Sequence, residues 1–357
     1  MRTLFLLVVS IGLSFPGRSQ ALIGYYAGDG ADLYDRPIGK LTHLIWCFAR
    51  LDGDSLALLT KAEDKVLRKM VGFKREYPDL KVLISFGGWG NCASCSEVFA
   101  RPEGRIAFAR TVHALLKRTW TDGIDLDWEY PAVEGPPGHA FSDADRHNFT
   151  LLVRDLRAEL GTRYEISFAA GGTDACLRKG FEWDSIMPVV DRVHLMTYDL
   201  VHGYSTVTGH HTPLISGTAE LPSVDGAVRL VEQLGVPRAK VVIGSAFYTR
   251  VFKDVPGEAD GLGQPGVFSH TIPWSAMDTT ITASKGWSIR LDKKSQSTFA
   301  YQATDRLFAT YDDLASVAAK ARYVKDRGLG GIMFWQLLDD HTKRGLLDAM
   351  HGALREP

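Results

Sequence analysis

The residues with the clearest chemical potential lie in one short segment, DGIDLDWEYP, at residues 122–131. Successive side chains of a β-strand point to opposite faces, so Asp125, Asp127 and Glu129 share one face of a predicted strand. Carboxylates on one face repel each other, and burial adds to the cost of their charge. At least one of these carboxyl groups should therefore stay protonated near neutral pH, as a general acid requires.

The order of the three acids along the strand suggests a division of roles. Glu129 comes last, at the carboxyl end where barrel enzymes place their active sites, and we predict that it is the proton donor. Asp127 lies one step deeper, where it could share a proton with Asp125 and turn towards Glu129 as charge develops. The opposite face of the strand is apolar and should meet the helices; it consists of Ile124, Leu126 and Trp128.

Other interpretations of this segment are open at this point. An EF-hand calcium loop would need glycine where Tyr130 stands, which excludes that site. A solvated acidic strand face and a DxD metal site of the sugar-nucleotide transferase kind both remain possible.

Eight apolar runs, each followed by a turn cluster, predict strands. They are Leu22–Tyr26, His43–Phe48, Val82–Phe86, Gly123–Trp128, Glu165–Ala169, Val193–Tyr198, Val241–Phe247 and Gly331–Trp335. Helical spacing lies between them, at Lys61–Tyr77, Glu103–Trp120, Asp143–Leu160, Val224–Leu234, Tyr311–Arg327 and Thr342–Leu354. Eight such units predict an α/β fold, a (β/α)8 TIM barrel, and no GxGxxG follows the first strand to favour a dinucleotide fold.

Two details refine this architecture. The gap between the last two strands is about twice the others, so we expect a small α+β insertion subdomain after the seventh strand, at residues 251–305. Asp143 and Ser223 stand where helix N-caps should lie, and Gly328 stands where the sixth helix should end.

Composition excludes several classes of protein. The chain has 357 residues, a net charge of −1 and no run of five like charges, so we expect neither a nucleic-acid nor a membrane partner. Residues 1–19 combine Arg2, an apolar stretch and small residues near Ser19, which predicts a cleaved signal peptide and a secreted, extracellular or periplasmic, protein. The CxxC of Cys92 and Cys95 predicts a local disulfide or two free thiols rather than a zinc site.

The acidic segment resembles the DxxDxDxE signature of family 18 glycoside hydrolases, the chitinase family, with all four acidic positions intact. Further similar segments run almost from end to end of the chain. They are VLISFGGWG at 82–90, MTYD at 196–199, GHHTPL at 209–214 and IMFW at 332–335.

The resemblance implies roles for individual residues. Glu129 would be the acid/base, Asp127 would orient the substrate acetamido group, and Asp125 would share its proton. Tyr198 would hydrogen-bond the acetamido carbonyl as the fourth catalytic residue. The implied substrate-binding residues are Tyr25, Ser85, Gly88, Trp89, Met196, Asp199, Tyr248, Arg250 and Trp335.

Two tryptophans and one arginine of this set have distinctive surroundings in the sequence. Trp335 would form the hydrophobic floor under the sugar, and Trp89, on a glycine-rich loop, could either stack on a sugar or anchor its loop. Thr249 departs from the glycine of the family's YGR pattern, which puts the role of Arg250 in doubt.

The resemblance also implies an activity. We expect hydrolysis of β-1,4 bonds between N-acetylglucosamine units of chitin or chitooligosaccharides with retention, by a monomer that needs no cofactor and no metal. An endo-β-N-acetylglucosaminidase acting on N-glycans shares the same acidic strand and is the main alternative. A non-catalytic chitin-binding lectin is disfavoured, since such proteins typically lose the final acid that Glu129 supplies here.

Overall fold

The computed structural model describes residues 20–57, 60–218 and 222–356. The signal peptide predicted at residues 1–19 lies outside these ranges. Within them, no helix combines the length and the apolar character needed to cross a membrane.

The strands form a closed parallel barrel and a separate antiparallel sheet. In chain order they are β1 (Ala21–Tyr26), β2 (His43–Asp52), β3 (Ser55–Ala57), β4 (Lys81–Gly87), β5 (Gly123–Asp127), β6 (Glu165–Gly171), β7 (Arg192–Met196), β8 (Val241–Ala246), β9 (Tyr248–Lys253), β10 (Val267–Pro273), β11 (Trp287–Asp292), β12 (Ser297–Gln302), β13 (Leu307–Tyr311) and β14 (Gly331–Trp335). Eight of them pair in parallel in the order β1-β14-β8-β7-β6-β5-β4-β2, and β1 pairs with β2 to close the ring. The predicted TIM barrel is confirmed.

Helices surround the barrel and connect its strands. They are α1 (Lys61–Gly72), α2 (Cys95–Ala100), α3 (Pro102–Thr119), α4 (Asp145–Leu160), α5 (Asp174–Lys179), α6 (Trp183–Ile186), α7 (Val224–Gln233), α8 (Met277–Thr280), α9 (Leu314–Arg327) and α10 (Leu346–Arg355). The short helices α2, α5, α6 and α8 were not predicted, because each is too brief for a helical period to show in the sequence.

Helix ends follow local capping chemistry. The Ser223 side chain accepts a hydrogen bond from the backbone N–H of Gly226, and Gly328 ends α9 in the left-handed conformation, so both predictions are confirmed. The N-cap predicted at Asp143 is wrong. Helix α4 begins at Asp145, whose carboxylate accepts bonds from the Ser142 N–H and the Ser96 hydroxyl and so fixes the turn itself.

The second sheet is built from β9 to β13 in the order β10-β9-β13-β12-β11, with every pair antiparallel. It therefore occupies the chain between the seventh and eighth strands of the barrel. The insertion predicted at residues 251–305 lies within this stretch, which starts slightly earlier, at Tyr248, and ends at Tyr311.

The barrel strands divide the protein interior into two layers. A large apolar layer lies between the strands and the helices, and it includes Ile124, Leu126 and Trp128 of the acidic segment. A smaller cluster fills the inside of the barrel and mixes apolar with polar groups, among them Tyr25 and Met196. Alternation along each strand thus turns the acidic side chains of β5 into the barrel.

Candidate active site at the carboxyl end of the barrel

Strand β5 and the two residues after it place the three acidic side chains inside the barrel, near its carboxyl end. Asp125 and Asp127 lie within the strand, and Glu129 follows two residues after its end. All three are buried, with exposed fractions of 0%, 5% and 9% respectively. Burial without full compensation by cations makes their protonation states sensitive to small differences in surroundings.

Asp125 is surrounded by hydrogen-bond donors. Its Oδ2 accepts from the Tyr25 hydroxyl at 2.9 Å and the Ser85 hydroxyl at 3.1 Å, and its Oδ1 accepts from the Ser167 hydroxyl at 2.6 Å. The His194 ring lies 3.2 Å from Oδ1. Burial alone would raise the pKa of Asp125, but His194 and these hydroxyls outweigh it and lower the pKa, so this carboxylate stays charged.

Asp127 is in the opposite situation. Its Oδ1 is buried and has no hydrogen-bond partner among the described residues. Burial raises its pKa well above the ordinary value, and the neighbouring charges of Glu129 and Asp125 raise it further. Asp127 therefore favours the protonated form, with a polar atom free to meet another group.

Glu129 is poised between its two protonation states. Burial raises its pKa to about 7; a hydrogen bond with Tyr130 opposes the shift, and the charge of Asp199 adds to it. A carboxyl group with a pKa near neutrality can both donate a proton and accept one back under mild conditions. This is the behaviour expected of an acid/base.

A second charged cluster lies across the mouth from β5. Arg250 in β9 donates two hydrogen bonds to Asp199, from Nε to Oδ1 at 2.7 Å and from Nη2 to Oδ2 at 2.5 Å. His211 Nδ1 lies 3.6 Å from Oδ1 of the same carboxylate. Burial would raise the pKa of Asp199, but these partners lower it. Arg250 of the second sheet and His211 thus hold the Asp199 carboxylate in its charged form.

The departure at Thr249 does not remove Arg250 from the site. The Thr249 side chain points away and is buried, with its hydroxyl 3.0 Å from the Met277 sulfur. The Arg250 guanidinium packs over the Tyr248 ring, with its central carbon 5.2 Å from the ring centroid, and Tyr248 in turn meets Tyr198 edge to face. Arg250 therefore acts on the mouth through Asp199.

Aromatic rings line the floor of the mouth. Trp335, at the end of β14, stacks on Phe48 with centroids 5.5 Å apart and planes 18° from parallel, and it lies 6.0 Å from Tyr25. Gly88 has a φ of +84°, and a Cβ there would come 2.7 Å from the Phe48 ring, so glycine permits this close approach. The Trp335 indole is partly exposed and offers a flat apolar surface at the end of β14.

The remaining predicted residues lie around the same opening. Tyr198 is half-buried, with its hydroxyl 4.0 Å from the sulfur of Met333, and Met196 is buried inside the barrel. Trp89 is 48% exposed, with its ring centroid 6.4 Å from that of Tyr130. The fold therefore gathers the predicted residues around one mouth, with Trp89 on its outer rim.

The sequence did not point to several residues of the site. His194 and Ser167 hold Asp125 from two further strands, Tyr130 bonds Glu129, and His211 is fully buried beside Asp199. A polar residue inside an apolar strand was the available signal for His194 and Ser167. His211 carried no signal, since a histidine in a loop is usually solvated.

The described residues contain no cluster of histidine, cysteine and acidic side chains that could hold a metal ion. Cys92 and Cys95 form a disulfide, whereas Cys47 and Cys176 are buried free thiols. The open question about the CxxC is thus answered in favour of the local disulfide.

Comparison with known proteins agrees with this geometry. Residues 21–340 match the family model described as glycosyl hydrolases family 18. Chitotriosidase-1 of Mus musculus is 30% identical over 318 residues, covering 84% of this chain and 67% of the relative, and chitinase A1 of Niallia circulans is 30% identical over 295 residues, covering 76% and 42%. The chain thus spans only about two fifths to two thirds of the length of these relatives.

A solved structure extends the similarity to the whole fold. A family 18 N-acetylglucosaminidase from Paenibacillus barengoltzii superimposes with a TM-score of 0.85 at 35% identity, covering 94% of this chain and 99% of the other. Matches of this extent establish the relationship that the acidic segment suggested. The chain belongs to glycosyl hydrolase family 18 and is a glycoside hydrolase.

Proposed function

We propose that this protein is a secreted chitinase that hydrolyses β-1,4 bonds between N-acetylglucosamine units of chitin or chitooligosaccharides, with retention of anomeric configuration. The observation that carries the proposal is the pair formed by Asp127 and Glu129, both buried with raised pKa values, at the end of the barrel where β14 closes on Trp335. Relatives named as chitinases support the choice of substrate. Export rests on residues 1–19 alone.

The proposed first step uses the substrate as its own nucleophile. Glu129 donates its proton to the glycosidic oxygen as the bond from C1 to that oxygen breaks. The carbonyl oxygen of the 2-acetamido group attacks C1 and gives a cyclic oxazolinium ion, a route used where no enzyme carboxylate forms the covalent bond. Asp127, whose Oδ1 has no partner among the described residues, would accept a hydrogen bond from the acetamido N–H and hold that group in position for the attack.

The second step returns the enzyme to its starting state. The Glu129 carboxylate takes a proton from water, the oxygen of that water attacks C1, and the bond from C1 to the acetamido oxygen breaks. Two displacements at C1 give net retention. The Tyr198 hydroxyl would donate to the acetamido carbonyl, and Asp199 would contact the sugar held against Trp335.

This mechanism explains selectivity by chemistry. A sugar without the N-acetyl group has no internal nucleophile, so it should bind without being cleaved. Uncharged chitin also suits a protein whose formal net charge is −1. The subsites follow from the resemblance to family 18 enzymes, and the raised pKa of the buried Glu129 supports its acid/base role within them.

The competing candidate removes terminal N-acetylglucosamine or cleaves N-glycans instead. The 35% identity to the N-acetylglucosaminidase over 94% of this chain favours keeping terminal release as an alternative. N-glycan cleavage would use the same acid strand and differ in the loops around the mouth.

Product analysis on a reducing-end-labelled chitin oligomer series distinguishes these activities. A chitinase should release chitobiose or longer products from oligomers, with the β-anomer formed first by NMR, and should leave the deacetylated oligomers intact. Release of N-acetylglucosamine alone would favour the alternative. Deglycosylation of a glycoprotein without turnover of chitin oligomers, or cleavage of deacetylated oligomers at equal rate, would contradict the proposal.

A further inference from the structure

A groove of about 940 Å³ opens at the amino-terminal end of the barrel, far from the carboxyl ends of the strands where Glu129 lies. It is bounded by the end of α1 and the turn that follows, by the end of α3 and by the segments that lead into β5 and β6. Asp122 and Tyr164, which immediately precede those two strands, form part of its wall. The groove is therefore separate from the active site.

The lining of this groove is strongly basic. Six cationic side chains face it, against Asp122 as the acidic residue of the lining: Arg68, Lys74, Arg75, Lys117, Arg118 and Arg163. The formal net charge of −1 for the whole chain hides this concentration, because acidic residues elsewhere cancel it. A polyanion approaching this face would meet a local positive field.

Three of these cations are ion-paired and three are not, among the residues that the structure describes. Lys74 is paired with Asp122, and Arg68 and Arg118 with Asp64. By contrast, Arg75, Lys117 and Arg163 are exposed and form no ion pair in the part of the chain that the structure describes.

Favourable interactions with helix dipoles explain the positions of only some of these cationic side chains. Cations stabilise helix C-termini, which accounts for Lys117 and Arg118 in the last turn of α3. Arg163 lies on a third segment, after α4 has ended, and Trp120 has no such explanation. The Trp120 side chain is 74% exposed, and its φ of 60° is the left-handed conformation that usually favours glycine at a helix end.

Together these features match one class of ligand. An exposed indole offers an apolar face to the C–H surface of a pyranose ring, while guanidinium and ammonium groups bind carboxylate or sulfate. We infer that this basic groove, with Trp120 at its rim, binds an acidic polysaccharide. Single-stranded nucleic acid fits less well, because such sites usually align several aromatic rings along the strand and this lining offers only Trp120 in exposed form.

The consequence for the enzyme is a second point of attachment. The active site would face a neutral glycan at one end of the barrel while the groove holds a charged glycan at the other. A matrix that contains both polymers would then concentrate the enzyme without occupying its mouth.

Affinity electrophoresis of the full chain through gels that contain polygalacturonate or neutral dextran tests this inference. The wild type should be retarded by polygalacturonate only, and the retardation should weaken as salt rises from about 20 to about 200 mM, since screening shortens the reach of the field. The triple variant Arg75→Ala, Lys117→Ala, Arg163→Ala should bind at least tenfold more weakly. Trp120→Gly, which suits the backbone there, should lose at least threefold.

A matched control removes three exposed lysines from the insertion: Lys285→Ala, Lys293→Ala and Lys294→Ala. This variant should bind like the wild type, and all variants should hydrolyse soluble chitin oligomers at the wild-type rate. Equal losses in the two triple variants, or binding unchanged in the groove variants, would overturn the inference. So would groove-dependent retention of oligo-dT or of phosphatidylglycerol vesicles without retention by polygalacturonate. These outcomes are read from binding alone, so they do not depend on the proposed activity.

Discussion

The inside of the barrel carries buried carboxyl groups at both ends, and their surroundings are opposite. At the amino end, the first residue of β6, Glu165, contacts Arg192, the Lys81 ammonium at 2.7 Å and His43 at 3.4 Å. At the carboxyl end, the charged groups that shift the pKa values of Asp127 and Glu129 are other carboxylates, and the Tyr130 hydroxyl bonds Glu129. The two ends of the same layer therefore differ: Glu165 is compensated by cations, whereas Asp127 and Glu129 are not.

The difference appears directly in protonation. Burial would raise the pKa of Glu165, but His43, Arg192 and Lys81 lower it far below its ordinary value. Burial and like charge raise the pKa values of Asp127 and Glu129 with nothing comparable to oppose them. A buried carboxylate with cations thus serves the fold, whereas one without them keeps a proton that chemistry can use.

The largest effect expected from this comparison is on turnover. Glu129→Gln keeps the size of the side chain but removes the transferable proton, so kcat on chitotetraose should fall by about 10³-fold or more. Thermal unfolding should be unchanged or slightly higher in temperature, because a buried acid has been replaced by a neutral amide. Oligosaccharide binding, measured by calorimetry, should survive. A kcat within tenfold of the wild type would remove Glu129 from the proposed role.

The matching substitution at the amino end of the barrel, at Glu165, should lower stability rather than turnover. Glu165→Gln leaves the guanidinium of Arg192 and the ammonium of Lys81 without their buried partner, which should cost about 3 kcal/mol of unfolding free energy in urea titrations. Since the folded pKa of Glu165 is depressed, its contribution is complete above the unfolded value of about 4.3 and is lost as pH falls below it. The stabilities of variant and wild type should therefore converge in acid.

A control for that experiment is Glu258→Gln, which makes the same chemical change at an exposed position of the insertion. It should shift the unfolding free energy by less than about 0.5 kcal/mol. The comparison between the two ends fails if Glu165→Gln changes the unfolding free energy no more than Glu258→Gln does. It also fails if Glu165→Gln lowers kcat of the folded enzyme as strongly as Glu129→Gln.

The acidic cluster at the carboxyl end of the barrel could be predicted from the sequence, whereas the compensated Glu165 at the amino end could not. Asp125, Asp127 and Glu129 are neighbours on one strand, so a period of two was enough to place them on one face. Glu165 is a single acid at the start of an apolar strand, and its partners His43, Lys81 and Arg192 come from three other strands of the barrel. Nothing local marks such a cluster.

The same limit applies within the active site. The strand order of the barrel follows from its alternating units, but the contact between His194 and Asp125 joins residues on β7 and β5 that depend on the tilt and stagger of the whole ring. His211 lies beside Asp199 only because the insertion folds back over the loop that carries it, where Thr310 of β13 accepts the backbone N–H of His211. Contacts between distant segments are set by packing, which a single sequence does not display.

The smallest predicted effect is a shift in the pKa of Glu129 in a variant that keeps Glu129 itself. The charge of Asp199 helps to raise the pKa of Glu129 to about 7, so kcat/KM, which reports the free enzyme, should fall above that pH as the acid loses its proton. In Asp199→Asn the negative charge disappears and the positive charge of Arg250, 2.5 Å from that carboxylate in the wild type, is left uncompensated. Both changes favour the Glu129 carboxylate, so the alkaline limb should move to lower pH by about one unit or less.

The control for this shift is Asp79→Asn, the same loss of charge at an exposed turn near the amino end of the barrel. It should leave the limb in place, since solvent and salt screen a surface charge beyond about 10 Å. A limb that moves upward in Asp199→Asn, or one that moves equally in both variants, would mean that the alkaline limb does not report Glu129. The two ends of the barrel would then differ in stability but not in their hold on the catalytic proton.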